Sequence, residues 1–368
     1  MCKALLQELV EKSAKKNKFK KELFFLPYKA SMWDSLESVW KAADEGKENC
    51  LAYVMPIPYC DRNPDGTAKE WHCERDLFPK DVPTLDWREI DLKLMHPDVI
   101  FYHYPYDNSN RVTSQDAAYY SSNLKECADR LVYIPYFVLE EPKLEYDNLE
   151  KEEEVKAAED SLADFILELG VINADYTIVQ SEEVKRVYVN VLDRYTDVGK
   201  EYWEKHILEL GSPKFDKVMN SRKEDLDIPE TWINLIHKPD GTWEKIIFYN
   251  ISLTTFLKKE KQHLEKIRSV LRKFRTVSED IVLLWRPHPL MKATMSSMHP
   301  ELFAEYEGIV DKYRQEGWGI YDDTADLNRA ITLSDGYYGD WSSVVQLYEK
   351  TGKPIMIENM ECLITGNA

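Results

Sequence analysis

Residues 245–289 read KIIFYNISLTTFLKKEKQHLEKIRSVLRKFRTVSEDIVLLWRPHP. Two short apolar runs, Lys245–Asn250 and Ile281–Trp285, flank a long stretch of helical apolar spacing near Phe256–Arg275. The runs are too short for helices and rich in β-branched and aromatic residues, so they predict strands. Strand, long helix and strand together predict a parallel pair joined by a crossover helix. The same alternation continues downstream with a helix near Glu301–Glu316, strands at Gly319–Tyr321 and Leu333–Tyr338, a helix at Val344–Lys350 and a strand at Pro354–Ile357.

Upstream there is a second series. Apolar runs fall at Leu23–Tyr28, Leu51–Ile57, Val99–Tyr104, Arg130–Ile134, Tyr176–Gln180 and Ile207–Leu210. Met32–Ala43 reads as an amphipathic helix with Trp33, Leu36, Val39 and Trp40 on one side. Between the two series, Asn220–Gly241 is polar and carries Pro229, Pro239 and Gly241, which suits a linker. The expected organisation is a basic helix over residues 1–21, an α/β domain over 22–219, a linker over 220–244 and a second α/β domain over 245–368. Both domains are expected to be Rossmann-like parallel sheets whose carboxyl edges face an interdomain cleft.

The chain has 368 residues, a formal charge of −18 and 43% hydrophobic residues. That composition excludes global disorder, and the net field opposes a general nucleic-acid binder. Residues 1–21 run against the acidic whole, with seven Lys and two Glu, so a peripheral contact with a membrane surface is one reading and a docking helix the other. No leader-like apolar core and no membrane-length apolar stretch stand in the sequence. The six cysteines are scattered without a CxxC pair, as expected of reduced thiols in the cytoplasm. No dinucleotide fingerprint, P-loop, nucleophile elbow or HExxH motif is present, and no residue spacing predicts a metal or a cofactor.

Three stretches carry candidate chemistry. In Leu283–Pro289 a strand runs into Arg286-Pro287-His288-Pro289, where the prolines force a turn at the strand's carboxyl end. Arg286 offers a planar fork for phosphate oxygens, and His288 a donor or proton carrier. In Ser334–Val344 the order is strand, glycine turn and helix, with Asp335, Gly339 and Asp340 leading to Ser342 and Ser343 at the helix start. Free N–H groups and two hydroxyls there suit a pyrophosphate, while Asp340 suits a cap or a sugar hydroxyl. In Pro97–Asp107 the strand end carries His103, a candidate general base facing His288.

RPHP (Arg286–Pro289), SDGYYGDWSSVV (Ser334–Val345) and KTGKPIMI (Lys350–Ile357) together resemble the CDP-glycerol glycerophosphotransferases of teichoic-acid synthesis, a family of GT-B fold. The resemblance implies a cytidine-nucleotide site using Arg286, His288, Ser342 and Ser343. It also implies transfer of a glycerophosphate or polyol-phosphate group from a CDP-linked donor to an acceptor hydroxyl of a cell-surface polymer or its precursor, the acceptor being a polyol-phosphate, a glycan or a lipid-linked molecule. His103 is followed by Tyr104 where that family has Gly. Two alternatives stand beside this: a GT-B glycosyltransferase or epimerase using a nucleotide-sugar, and a non-catalytic nucleotide-binding relative.

Overall fold

A computed structural model describes residues 20–358 apart from 64, 111, 143, 290 and 325. The basic helix expected over residues 1–21 falls outside the described residues up to position 19. Lys21 opens a strand instead, its ammonium 2.9 Å from the buried Asp98 carboxylate. Contacts divide the chain into two compact units, Met1–Lys217 and Val218–Ala368.

In the first unit the strands are β1 (Lys21–Leu26), β2 (Cys50–Val54), β3 (Tyr59–Arg62), β4 (Ala68–His72), β5 (Val99–Tyr102), β6 (Thr113–Gln115), β7 (Arg130–Tyr133), β8 (Tyr176–Ile178) and β9 (Ile207–Leu208). Six of them form a parallel sheet in the order β2-β1-β5-β7-β8-β9. Alternate residues serve opposite faces, so one run of sequence feeds two cores. Leu23, Phe25, Val99, Phe101 and Val132 enter one cluster, and Phe24, Leu26, Ile100, Tyr102, Leu131 and Tyr133 the other. A small antiparallel sheet, β4-β3-β6, is inserted beside them. The sequence carries no apolar run at β4, a largely exposed AKEWH stretch that pairs with β3 through its backbone and through His72, whose Nε2 lies 3.1 Å from Asp61 Oδ2. The helix expected over Met32–Ala43 is broken into a 3-10 turn, Ala30–Ser35, and α1 (Glu37–Glu45). Ser35 Oγ donates to the Met32 carbonyl at 2.8 Å and tightens that first turn.

In the second unit α2 (Glu230–Ile236) precedes β10 (Lys245–Ile251), α3 (Leu253–Arg275), β11 (Ile281–Pro287), α4 (Pro300–Glu316), β12 (Ile320–Tyr321), α5 (Leu327–Leu333), β13 (Gly336–Gly339), α6 (Ser343–Glu349) and β14 (Ile355–Ile357). The five strands are parallel in the order β12-β11-β10-β13-β14. On one face Tyr249, Leu283 and Trp285 pack with Tyr306 and Tyr313 of α4. The strand expected from Leu333 begins only at Gly336, because α5 runs through Leu333 after Asp326 caps it by accepting the Arg329 N–H.

Residues 220–244, read from sequence as a linker, are folded onto the second unit. Trp232 and Ile236 of α2 are buried. The Arg329 guanidinium lies 5.1 Å over the Trp232 ring and donates to the Asp227 carbonyl at 2.7 Å. Two apolar side chains on one face of a short helix supplied the contact that a polar composition conceals.

Candidate active site

All five strands of the second sheet run the same way, so their carboxyl ends share one edge. Asn250 and Ser252 stand there from the end of β10, Arg286 and His288 from β11, Asp322 from β12, Asp340 from β13 and Glu358 from β14. Asn250 ties three of these ends together. Its Nδ2 donates to the Arg286 carbonyl at 3.1 Å, and its Oδ1 accepts from Ser342 Oγ at 3.3 Å. Tyr337 OH donates to the Asp340 carbonyl at 2.5 Å.

Gly339 is required by a close approach. Its φ is +145°, and a Cβ there would lie 2.0 Å from the Asn250 carbonyl oxygen. The chain turns tightly past β10 and delivers Asp340, Trp341 and Ser342 in succession. Ser342 is the N-cap of α6, its Oγ accepting the Val344 N–H at 3.3 Å, and Ser343 is exposed as the first helical residue. The hydroxyl pair and the leading N–H groups of α6 therefore lie at the carboxyl edge, as the sequence predicts.

His288 follows β11 directly and is partly exposed. Its N–H donates to the Ile251 carbonyl at 3.1 Å and its carbonyl accepts the Met291 N–H at 2.9 Å, so the turn is held on both sides. Partial burial lowers the imidazole pKa and favours the neutral ring.

Four expected roles change. Arg286 is 4% exposed, and its Nη1 donates to Asp322 Oδ2 at 2.6 Å, with Asp322 wholly buried. The fork expected for phosphate instead joins the ends of β11 and β12, since a buried guanidinium needs a counter-charge. Asp340 takes no position for a sugar hydroxyl. Its Oδ2 accepts the Ser252 N–H at 2.7 Å just before α3, and its Oδ1 is paired with the Lys266 ammonium. Asp335 precedes β13, so it lies at the opposite edge of the sheet, paired with Lys223 at 2.8 Å and accepting the Ile246 N–H at 2.9 Å.

His103, in the first unit, is fully buried. Nε2 accepts the Tyr28 N–H at 2.7 Å, which leaves the proton on Nδ1. Nδ1 donates to Ser35 Oγ at 2.7 Å, and Ser35 passes its own hydrogen to the Met32 carbonyl. Burial, with the Lys214 cation adding, lowers the ring's pKa to about 3. Both nitrogens are engaged by the chain itself, so His103 braces loops and is withdrawn as a general base.

The sequence reading missed Asn250, Asp322, Lys266 and Glu358. Lys266 carried a signal: it shares a helical face with His263 and Val270, both buried, and a Lys inside such a stripe calls for a buried partner. Among the described residues no group of three or more His, Cys, Asp or Glu could hold a metal ion. Among the same residues no helix is long and apolar enough to cross a membrane.

The sequence profile of the CDP-glycerol:poly(glycerophosphate) glycerophosphotransferases matches residues 144–362. The chain belongs to this family. It is accordingly a CDP-glycerol-using glycerophosphotransferase. The matched span holds Arg286, His288, Gly339, Asp340, Ser342 and Ser343, and leaves His103 outside. No curated protein matches the chain. Among solved structures, a candidate UDP-N-acetylglucosamine 2-epimerase from Listeria monocytogenes is similar, at TM-score 0.52 and 14% identity over 94% of this chain and 81% of that one. The UDP-GlcNAc 2-epimerase of Methanocaldococcus jannaschii gives 0.50 and 13% over 94% and 87%. The wall teichoic acid polymerase TagF gives 0.47 and 15% over 96% and 75%. The epimerase likenesses are of fold alone, and that fold is of the GT-B type.

Proposed function

We propose that this glycerophosphotransferase holds the pyrophosphate of CDP-glycerol at the carboxyl edge of its second sheet, on the exposed Ser343 hydroxyl and on Ser342, whose hydroxyl gives up its 3.3 Å hydrogen bond to Asn250 for a phosphate oxygen. The observation that carries the reading is the turn at Gly339. It brings two serines of the family's motif to the strand-end edge, where Asn250 links Ser342 to the end of β11 beside His288. The acceptor is a hydroxyl of a polyol-phosphate chain. Its oxygen bonds to the glycerol-bearing phosphorus, the bond from that phosphorus to the CMP oxygen breaks, CMP leaves, and the acceptor's proton passes to solvent water. Such transfers depend on positioning and on stabilising charge at the departing phosphate. His288, as a neutral imidazole, donates a hydrogen bond to that phosphate. The reaction takes place in the cytoplasm, a reading supported by the free thiols of Cys50, Cys60, Cys73 and Cys127.

The test is calorimetric binding of CDP-glycerol to a Ser342→Ala/Ser343→Ala variant. Loss of hydroxyl hydrogen bonds to a charged group weakens binding by about 1.5 kcal/mol or more, roughly tenfold. Unchanged affinity would reduce the serines to a helix cap and end the proposal.

A further inference from the structure

We infer that Lys266 is a positioning residue for the donor site: from α3 it holds Asp340, and through Asp340 it sets where Ser342 and Ser343 stand. This rests on the reading that the pyrophosphate binds at those serines. The Lys266 ammonium is paired with Asp340 and lies 3.1 Å from Glu358 Oε2, with the three side chains 2%, 3% and 2% exposed. One cation therefore joins the ends of β13 and β14 to the helix that follows β10. The second Asp340 oxygen takes the Ser252 N–H, so the same carboxylate also holds the chain entering α3.

The segment Gly339–Ser343 has little packing of its own. Gly339 has no side chain, Trp341 is 46% exposed, Ser342 is half-buried and Ser343 is exposed. Asp340 is the one fully buried side chain of the segment, and its carboxylate fixes the segment together with the bonds that the Asp340 main chain and the Ser342 hydroxyl make to Tyr337 and Asn250. A Lys suits the task because its long stem crosses from the helix and its ammonium has several donors for two carboxylates. The other titratable groups near Asp340 are His263 from α3, Tyr249 from β10, Tyr337 from β13 and Glu358 after β14. Burial pushes Glu358 up and His263 down, and Glu358 accepts from Tyr338 OH at 2.9 Å. Of the cations that face Asp340 among the described residues, Lys266 is the one in contact with it.

A purely structural pair would cost stability when broken and leave ligand affinity per folded molecule alone. The experiment separates the two with the full chain carrying Lys266→Met, Lys266→Arg, or Lys266→Met with Asp340→Asn. Melting temperature, the Kd for CDP, and KM and kcat with CDP-glycerol are measured. Lys266→Met is expected to raise Kd and KM about tenfold, the scale of a lost charge-assisted tie, with kcat changed far less. Lys266→Arg is expected to recover most of that affinity. The double variant leaves Glu358 as the one buried acid that has lost its cation, and burial already pushes that group toward its neutral form, so the variant is expected to regain much of the melting temperature while CDP binding stays weak. This keeps the idea testable if Lys266→Met alone does not fold. Wild-type Kd and KM in either Met-containing variant would overturn the inference. If the Ser342→Ala/Ser343→Ala variant itself binds CDP normally, the donor-site reading has failed. If that variant binds weakly and the Lys266 variants do not, the failure belongs to Lys266 alone.

Discussion

Gly339→Ala is the sharpest perturbation of the proposed donor site that avoids every polar group in it. The added methyl would sit 2.0 Å from the Asn250 carbonyl oxygen and 3.0 Å from that residue's nitrogen and carbonyl carbon. These are backbone atoms of the neighbouring strand, so no side chain can swing away. Restoring ordinary contact requires β13 to part from β10 by more than an ångström where Asp340 N–H donates to the Asn250 carbonyl at 3.1 Å. The φ of +145° costs an alanine about 1–3 kcal/mol, overpacking about 1–3, and the strained hydrogen bond about 1. Together these destabilise the second unit by about 3–7 kcal/mol. Urea unfolding followed by tryptophan fluorescence reads that loss, and calorimetry with CDP at low temperature reads the site in the fraction still folded. Affinity is expected to fall with stability, because the displaced chain carries Ser342. A loss below about 1 kcal/mol together with wild-type CDP affinity would refute the argument that this close approach positions the serines.

His103→Asn is expected to lower stability and leave kcat of the folded enzyme within a few-fold of wild type; a loss of about 10²-fold at full folding would restore the base role. The same ring predicts a pH dependence. Its folded pKa of about 3 lies below the unfolded value near 6.5, so the unfolded state binds a proton that the folded state lacks between those pH values. Its contribution is present above about pH 6.5 and falls by roughly 1.4 kcal/mol per pH unit below it, a slope that urea titrations should find flattened in His103→Asn. His288→Ala, at a partly exposed ring, is expected to fold normally and lose about 10²-fold in kcat, the scale of one lost hydrogen bond to a developing charge; an unchanged kcat excludes it from the chemistry. Deleting residues 1–20 is expected to reduce co-sedimentation with anionic vesicles, since each Lys near such a surface adds up to about 1 kcal/mol; unchanged sedimentation shows that these lysines do not bind the membrane.

What the sequence determined by itself is local. Short apolar runs separated by helical patterns made β1, β5, β7, β10 and β11 legible, because strand and helix periodicities are written in neighbouring residues. The stretch from Gly339 to Ser343 was legible for the same reason: a glycine turn and a serine cap act within a few residues of chain. The roles of the charged and titratable side chains were decided by tertiary structure. Asp335 and Asp340 are close in sequence, yet the four residues of β13 between them, at about 3.3 Å each, carry them to opposite edges of the sheet. His103 and His288 both follow apolar strands into proline-marked turns. The loop bearing Tyr28 and Ser35 closes over one, while the other keeps partial exposure. Arg286 finds Asp322 36 residues away, and Lys266 finds Asp340 across 74. A buried charge takes whichever opposite charge the packed fold brings within reach, and that distance is set by the order in which distant strands pair, which no local pattern encodes.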